Sequence, residues 1–164
     1  VSFVSPIYKK YANDPNVMIF RIKKEYEDEQ TAIDDIEEEL DLDVPLILYR
    51  PENFEFRSYN VNVESGYALM EYYYGQEIVT LYINDYSNER KSGAYILDGK
   101  EIATVKMKNE NINITIKKIQ DKNDKKENYA AYWEKDSVFY QISGKMQQSE
   151  FIKLVKNMKN FLIS

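Results

Sequence analysis

The 164-residue chain carries 22 Lys and Arg against 28 Asp and Glu, and has no Cys and no His. Without Cys there is no thiol nucleophile, disulfide, iron–sulfur cluster or thiolate zinc site, and without His the commonest general base and transition-metal ligand are missing. Any catalysis would have to run on Asp, Glu, Lys, Tyr or Ser.

A 43% apolar fraction with 15 Tyr, 7 Phe and one Trp suits a packed domain rather than a disordered chain. No run approaches the roughly 18 apolar residues that would span a bilayer. The net charge of −6 hides an asymmetry. Residues 25–43 hold eleven acids and no Lys or Arg, leaving 17 acids against 22 bases, or +5, for the rest of the chain. That segment reads as a solvated helix face beside a Lys-rich body; the sharper reading is an arm for a basic partner, or a cation site.

In chain order, residues 17–24 (VMIFRIKK) predict a strand, apolar and β-branched at its start. Residues 30–42 predict a helix with Ile33, Ile36 and Leu40 on a narrow stripe beside Ala32. Thr31 is its expected N-cap, with Asp34 and Asp35 suited to the first turn. Pro45 and Pro51 then exclude further helix.

From Phe54 the pattern turns to strands joined by tight turns. A two-residue turn at Gly75-Gln76 sets Tyr72 opposite Val79, Met70 opposite Leu81 and Ala68 opposite Ile83 on one apolar face. The other face pairs Tyr73 with Ile78, Glu71 with Thr80 and Leu69 with Tyr82. A turn at Glu64-Ser65 adds Tyr59, Val61 and Val63 to the apolar face. Asp98-Gly99 predicts a hairpin between AYIL and KEIATVKM, and Asn109-Glu110 one that pairs Val105 with Ile114 and Ala103 with Ile116. A turn at Lys135-Asp136 would align Trp133 with Val138 and Ala131 with Tyr140. The result is an antiparallel meander of about eight strands over residues 54–143.

Residues 149–162 form the cleanest predicted helix. Ser149 is the expected N-cap, Phe151, Leu154, Val155, Met158, Phe161 and Leu162 lie on one face, and Lys153, Lys156 and Lys159 on the other. The fold class is therefore α+β: a curved, mainly antiparallel sheet with an acidic N-terminal helix and an amphipathic C-terminal helix packed on it.

Several of these segments carry a family likeness. The N-terminal VSFVSPIYKKYAND, the acidic helix ending in LDVP, the PENF lead into the meander, the Trp133 hairpin, the YQISG strand and the closing SEFIKLVKNM together resemble the bacterial family named domain of unknown function 4367, over residues 31–160. Where that family often has a Gly-containing loop before the meander, this chain has Arg50-Pro51-Glu52-Asn53. The resemblance implies an ectodomain behind a single membrane helix, with residues 1–16 following that helix, in a membrane-tethered, anti-sigma-type regulatory setting outside the cytoplasm of a Gram-positive-type bacterium. It implies no activity.

Among chemical candidates, Glu71 sits mid-strand among Tyr67, Leu69, Tyr73 and Tyr82 and could be a carboxyl in an apolar setting, though it reads more simply as a wet-face residue. Asp121, Asn123, Lys125 and Glu127 imitate calcium-loop spacing, yet Lys stands at the fifth position and Tyr132 where the bidentate acid belongs. No S-x-x-K or glycine-rich phosphate loop is present. Lysines 100, 106, 108, 117, 118, 122, 125 and 126 cluster in sequence, but a pI near 4.9 and four Arg speak against nucleic acid. No metal, cofactor or enzymatic activity is expected.

The tyrosines are the strongest lead. Tyr59, Tyr72, Tyr129 and Tyr140 fall on the apolar face; Tyr67, Tyr73, Tyr82, Tyr95 and Tyr132 fall on the reverse face with Leu69, Ile78, Ile102 and Phe139. Such a face is either covered by the N-terminal segment or used for binding. The expected function is a non-enzymatic signalling or protein-interaction domain that recognises a protein or peptide through Tyr67, Leu69, Tyr73, Ile78 and Tyr82. The alternative is a carrier or sensor of an apolar ligand held among Met70, Leu81, Ile114 and Trp133.

Overall fold

The computed structural model describes residues 18–85, 96–108 and 110–160, with side chains from residue 28 onward. Helix α1 (Met18–Leu40) leads through a short strand β1 (Leu46–Ile47) into the strands β2 (Phe54–Asn62), β3 (Tyr67–Tyr74) and β4 (Glu77–Asp85). Strands β5 (Lys100–Lys106), β6 (Asn113–Lys118), β7 (Asn128–Lys135) and β8 (Val138–Lys145) follow, then helix α2 (Gln148–Lys156) and strand β9 (Met158–Lys159).

Strands β2 to β8 form one seven-stranded sheet in the order β2-β3-β4-β8-β7-β6-β5, antiparallel throughout. It is two meander arms joined edge to edge: β4 pairs with β8, and β5 lies at the far edge. β1 and β9 form a separate antiparallel pair that ties the strap after α1 to the strap after α2. The molecule is thus α+β, and no described helix is long and apolar enough to cross a membrane.

The hairpin registers expected from the pattern are realised. Tyr72↔Val79, Met70↔Leu81 and Ala68↔Ile83 pair on one face, and Tyr73↔Ile78, Glu71↔Thr80 and Leu69↔Tyr82 on the other. Tyr59↔Met70 and Val61↔Ala68 follow, with a bulge at Arg57 between Phe56 and Ser58. Val63 differs: it leaves the ladder in the four-residue turn that Gly66 closes at φ 74°, and it is 44% exposed. Val105↔Ile114 and Ala103↔Ile116 also pair as expected. Ala68, Met70, Tyr72, Val79, Leu81, Ile83, Ile114, Ile116, Tyr129, Ala131, Trp133, Tyr140 and Ile142 are buried in one cluster with α1 and α2.

Five expectations need correction. Residues 18–24 belong to α1, not to a strand: no Gly or Pro occurs between Pro15 and Pro45, and the Lys- and Glu-rich run favours helix. Thr31 is accordingly in mid-helix, with Asp34 and Asp35, rather than at an N-cap. The Asp98-Gly99 hairpin is not formed; residues 96–99 are outside any strand, and β5 pairs only with β6. Instead Gly99 lies against the β6 backbone, where a Cβ would sit 2.7 Å from the Lys118 carbonyl oxygen.

The fourth correction is the β7–β8 turn, which is Asp136-Ser137, so that Trp133 faces Tyr140 and Lys135 faces Val138. Both turn residues have positive φ, 52° and 65°, as a two-residue hairpin turn of matching twist requires. The slip moves each partner by two residues, which leaves every side chain on its expected face. Fifth, α2 starts after an N-cap at Gln147 and ends at Asn157, not at 162. Asn157 Nδ2 donates to the Lys153 carbonyl, and the next two residues are drawn into pairing with β1. Residues 1–17, Tyr95, Asn109, Phe161 and Leu162 lie outside the described residues.

Candidate functional site

The reverse face of the sheet carries a row of rings across four strands. Tyr67 of β3 and Tyr82 of β4 lie 6.0 Å apart between centroids, Tyr82 and Phe139 of β8 6.2 Å, and Phe139 and Tyr132 of β7 6.0 Å. The Lys117 ammonium of β6 lies 5.4 Å from the Tyr132 ring. These residues alternate with the core set, so the period-two pattern that buries Met70 and Leu81 also sends Leu69 and Tyr82 to this side.

The centre of this face is closed. Phe139, Asn84 and Gln141 are buried, and the Leu97 backbone N–H donates to Gln141 Oε1 at 3.0 Å. Segment 96–99 therefore crosses the face that the sequence pattern left open. α1 lies on the other side, over β2 and β3 on the core face. Tyr67, Leu69, Ile78 and Tyr82 remain half-buried, and Tyr73 is 42% exposed near the β2–β3 edge.

Beside Tyr73 the bulge residue Arg57 donates from Nε to the Tyr73 hydroxyl at 3.1 Å and places its guanidinium 5.6 Å from that ring. It also pairs with Glu71, which accepts from Ser58 Oγ as well. Glu71 is therefore a paired carboxylate, held by a cation and a hydroxyl, with no second acid among its partners. The open end of the face presents a ring, a cation and an anion locked together by the bulge.

Met70, Leu81, Ile114 and Trp133 also come together, as packed core: each is at most 2% exposed. Trp133 stacks on Tyr140 at 5.5 Å, while its indole N–H has no hydrogen-bond partner among the described residues.

One polar constellation was missed. Glu29 lies on the buried stripe of α1, four residues before Ile33 and seven before Ile36, and is 1% exposed. Arg50 grips it with two parallel bonds, 2.8 Å to Oε1 and 2.7 Å to Oε2, and the Tyr72 hydroxyl donates to Oε2 at 2.8 Å. Arg50 Nε completes the set at the Ile47 carbonyl, and its guanidinium lies over Phe54 and Tyr72. Burial, with the Glu29 charge, holds the Tyr72 phenol well above its ordinary range, so it stays a donor. The signal was present: continuing the helix one residue upstream puts an acid on the apolar stripe, which demands a buried cation.

The fold and this face define a two-arm antiparallel sheet with one helix on each arm and an aromatic row on the back. The chain belongs to the family described as Domain of unknown function (DUF4367), whose model matches residues 44–158. The match begins at the strap after α1 and runs through α2, a narrower span than residues 31–160. No curated protein and no solved structure matches the chain.

Proposed function

We propose that the chain is a non-enzymatic recognition domain of a membrane-tethered bacterial protein, acting outside the cytoplasm in a signalling or regulatory setting. Its partner is a protein or peptide that docks on the open end of the reverse face, around Tyr67, Leu69, Tyr73, Ile78 and Tyr82. The observation that carries this reading is Tyr73, a large aromatic 42% exposed yet oriented by the Arg57 hydrogen bond. A pre-ordered tyrosine gives contact area at low entropic cost. Tyr67, Leu69 and Tyr82 would supply the half-buried apolar ground around it.

The test is a Tyr73→Ser/Tyr82→Ser variant of unchanged thermal stability, compared with wild type for capture of its host partner. Loss of capture supports the reading; equal capture removes this face as the site. Protease accessibility of the full-length protein in intact cells tests its location, and protection in sealed cells would overturn the extracytoplasmic part.

A further inference from the structure

On the core-face side of the sheet, the C-terminal end of α1, the end of β4 and the β7–β8 turn line a pocket of about 330 Å³. Glu37, Asp41 and Asp43 enter it from the acidic segment, Asp85 from β4 and Asp136 from the turn. Lys135 also reaches the rim, but its ammonium is paired with Glu110 Oε1 at 3.3 Å. The last turn of α1 contains no basic residue, so the negative end of the helix dipole adds to the carboxylates.

Asn160 lines the same pocket. It is 1% exposed, its Nδ2 faces the Tyr140 hydroxyl, and its Oδ1 has no hydrogen-bond partner among the described residues. Its backbone is fixed, since its N–H donates to Glu110 Oε2 at 2.9 Å. A buried amide oxygen left without a donor costs stability unless a ligand completes it.

The charge calls for a cation, and the geometry decides which kind. Among the described residues no group of three acids converges closely enough to hold a metal ion, so the carboxylates surround a volume rather than a point. The Asn160 amide oxygen adds an acceptor for a ligand N–H. We infer that this pocket binds an organic cation, a guanidinium or ammonium group, as in an Arg or Lys residue of a peptide. Its size, at the lower end of ligand sites, fits one such group. The Tyr140 hydroxyl, committed to the Asp43 carbonyl at 2.9 Å, fixes the floor.

The site is independent of the tyrosine face, so either can fail without the other. The experiment is a side-chain amide NMR titration of the whole chain with N-acetyl-arginine amide, its neutral isostere N-acetyl-citrulline amide, agmatine and calcium chloride. The arginine derivative should shift the Asn160 amide signal saturably in the millimolar range, and the citrulline derivative should not. Asp43→Asn and Asp136→Asn should each weaken binding about tenfold; Asn suits the left-handed backbone at 136, and unchanged spectra elsewhere verify the fold. Agmatine binding as tightly as the arginine derivative assigns the cation to a free amine, and weaker binding assigns it to a peptide side chain. No saturable shift, an equal response to citrulline, or tighter saturation by calcium overturns the inference.

Discussion

α1 packs on the arm of β2 and β3 and α2 on the arm that holds β7, yet the two helices are fastened by different means. α2 is held at its core by apolar packing: Phe151, Leu154 and Val155 are fully buried and Phe151 lies 5.7 Å from the Tyr129 ring, while its polar bonds, Tyr49 to Glu150 among them, lie nearer the surface. α1 has an apolar stripe of Ala32, Ile33, Ile36 and Leu40, but it adds the buried Glu29–Arg50 pair and its Tyr72 bond. Tyr59 also reaches α1, donating to Asp35 at 2.5 Å. An apolar plug tolerates neighbours of many shapes, whereas a buried ion pair accepts one alignment. The matched family segment starts at residue 44 and includes α2; the charged lock joins Arg50, inside that segment, to Glu29, outside it.

The largest expected effect breaks that lock. Glu29→Ala leaves Arg50 buried without its partner and should cost about 3–5 kcal/mol in urea unfolding, while replacing both residues with Met should recover most of the loss. If the double variant is as unstable as the single one, the lock is not electrostatic. On the other arm Leu154→Ala should cost about 2–5 kcal/mol through the cavity it leaves, with no charge change able to restore it.

Gly144→Ala probes the seam between arms. Its Cβ would lie 2.8 Å from Val79 Cγ2 and 3.3 Å from Val79 Cα, so a loss of about 1–3 kcal/mol is expected, eased by Val79→Ala in the same chain.

The smallest effect concerns Glu37. Burial, and then the charges of Asp43 and Asp34, hold its carboxyl above the usual 4.5, against the lowering bond from the Val44 N–H. The folded state therefore keeps this proton longer than the unfolded one, and its stability falls as pH rises through that window. Glu37→Gln keeps an acceptor for Val44 and loses the titration. Its stability relative to wild type should rise from about pH 4 to neutrality and level off beyond, as followed by urea midpoints. A pH-independent difference would sever Glu37 from the acidic end of α1.

The two sheet faces were legible in advance because alternation has a period of two. Even a turn misplaced to Lys135-Asp136 left Trp133, Tyr140 and Ile142 on the core face, since the error in pairing was two residues. Turn chemistry was less legible: Asp98-Gly99 has the composition of a hairpin, but its glycine serves the close approach to Lys118. The start of α1 was hidden because β-branched and aromatic residues at 17–22 outweighed a longer helical context. Of the candidate surface, alternation put Tyr73 and Phe139 on one face but left open that Tyr73 is exposed and Phe139 covered.

The amino-acid order by itself determined the α+β class, the inward residues of each strand and the apolar stripe of each helix, because these follow from local periodicity. It also fixed the absence of Cys and His, and with it the restriction to carboxylate, amine and hydroxyl chemistry. Only the tertiary structure decided that β4 pairs with β8 and not β5, that Glu29 meets Arg50 across 21 residues, and that a buried amide from residue 160 faces acids from α1. Those pairings join distant segments, and their energies depend on burial and distance, which no local pattern records. The net charge of −6 thereby acquires a location: part of the acidic segment is spent inside the fold, and part rims one pocket.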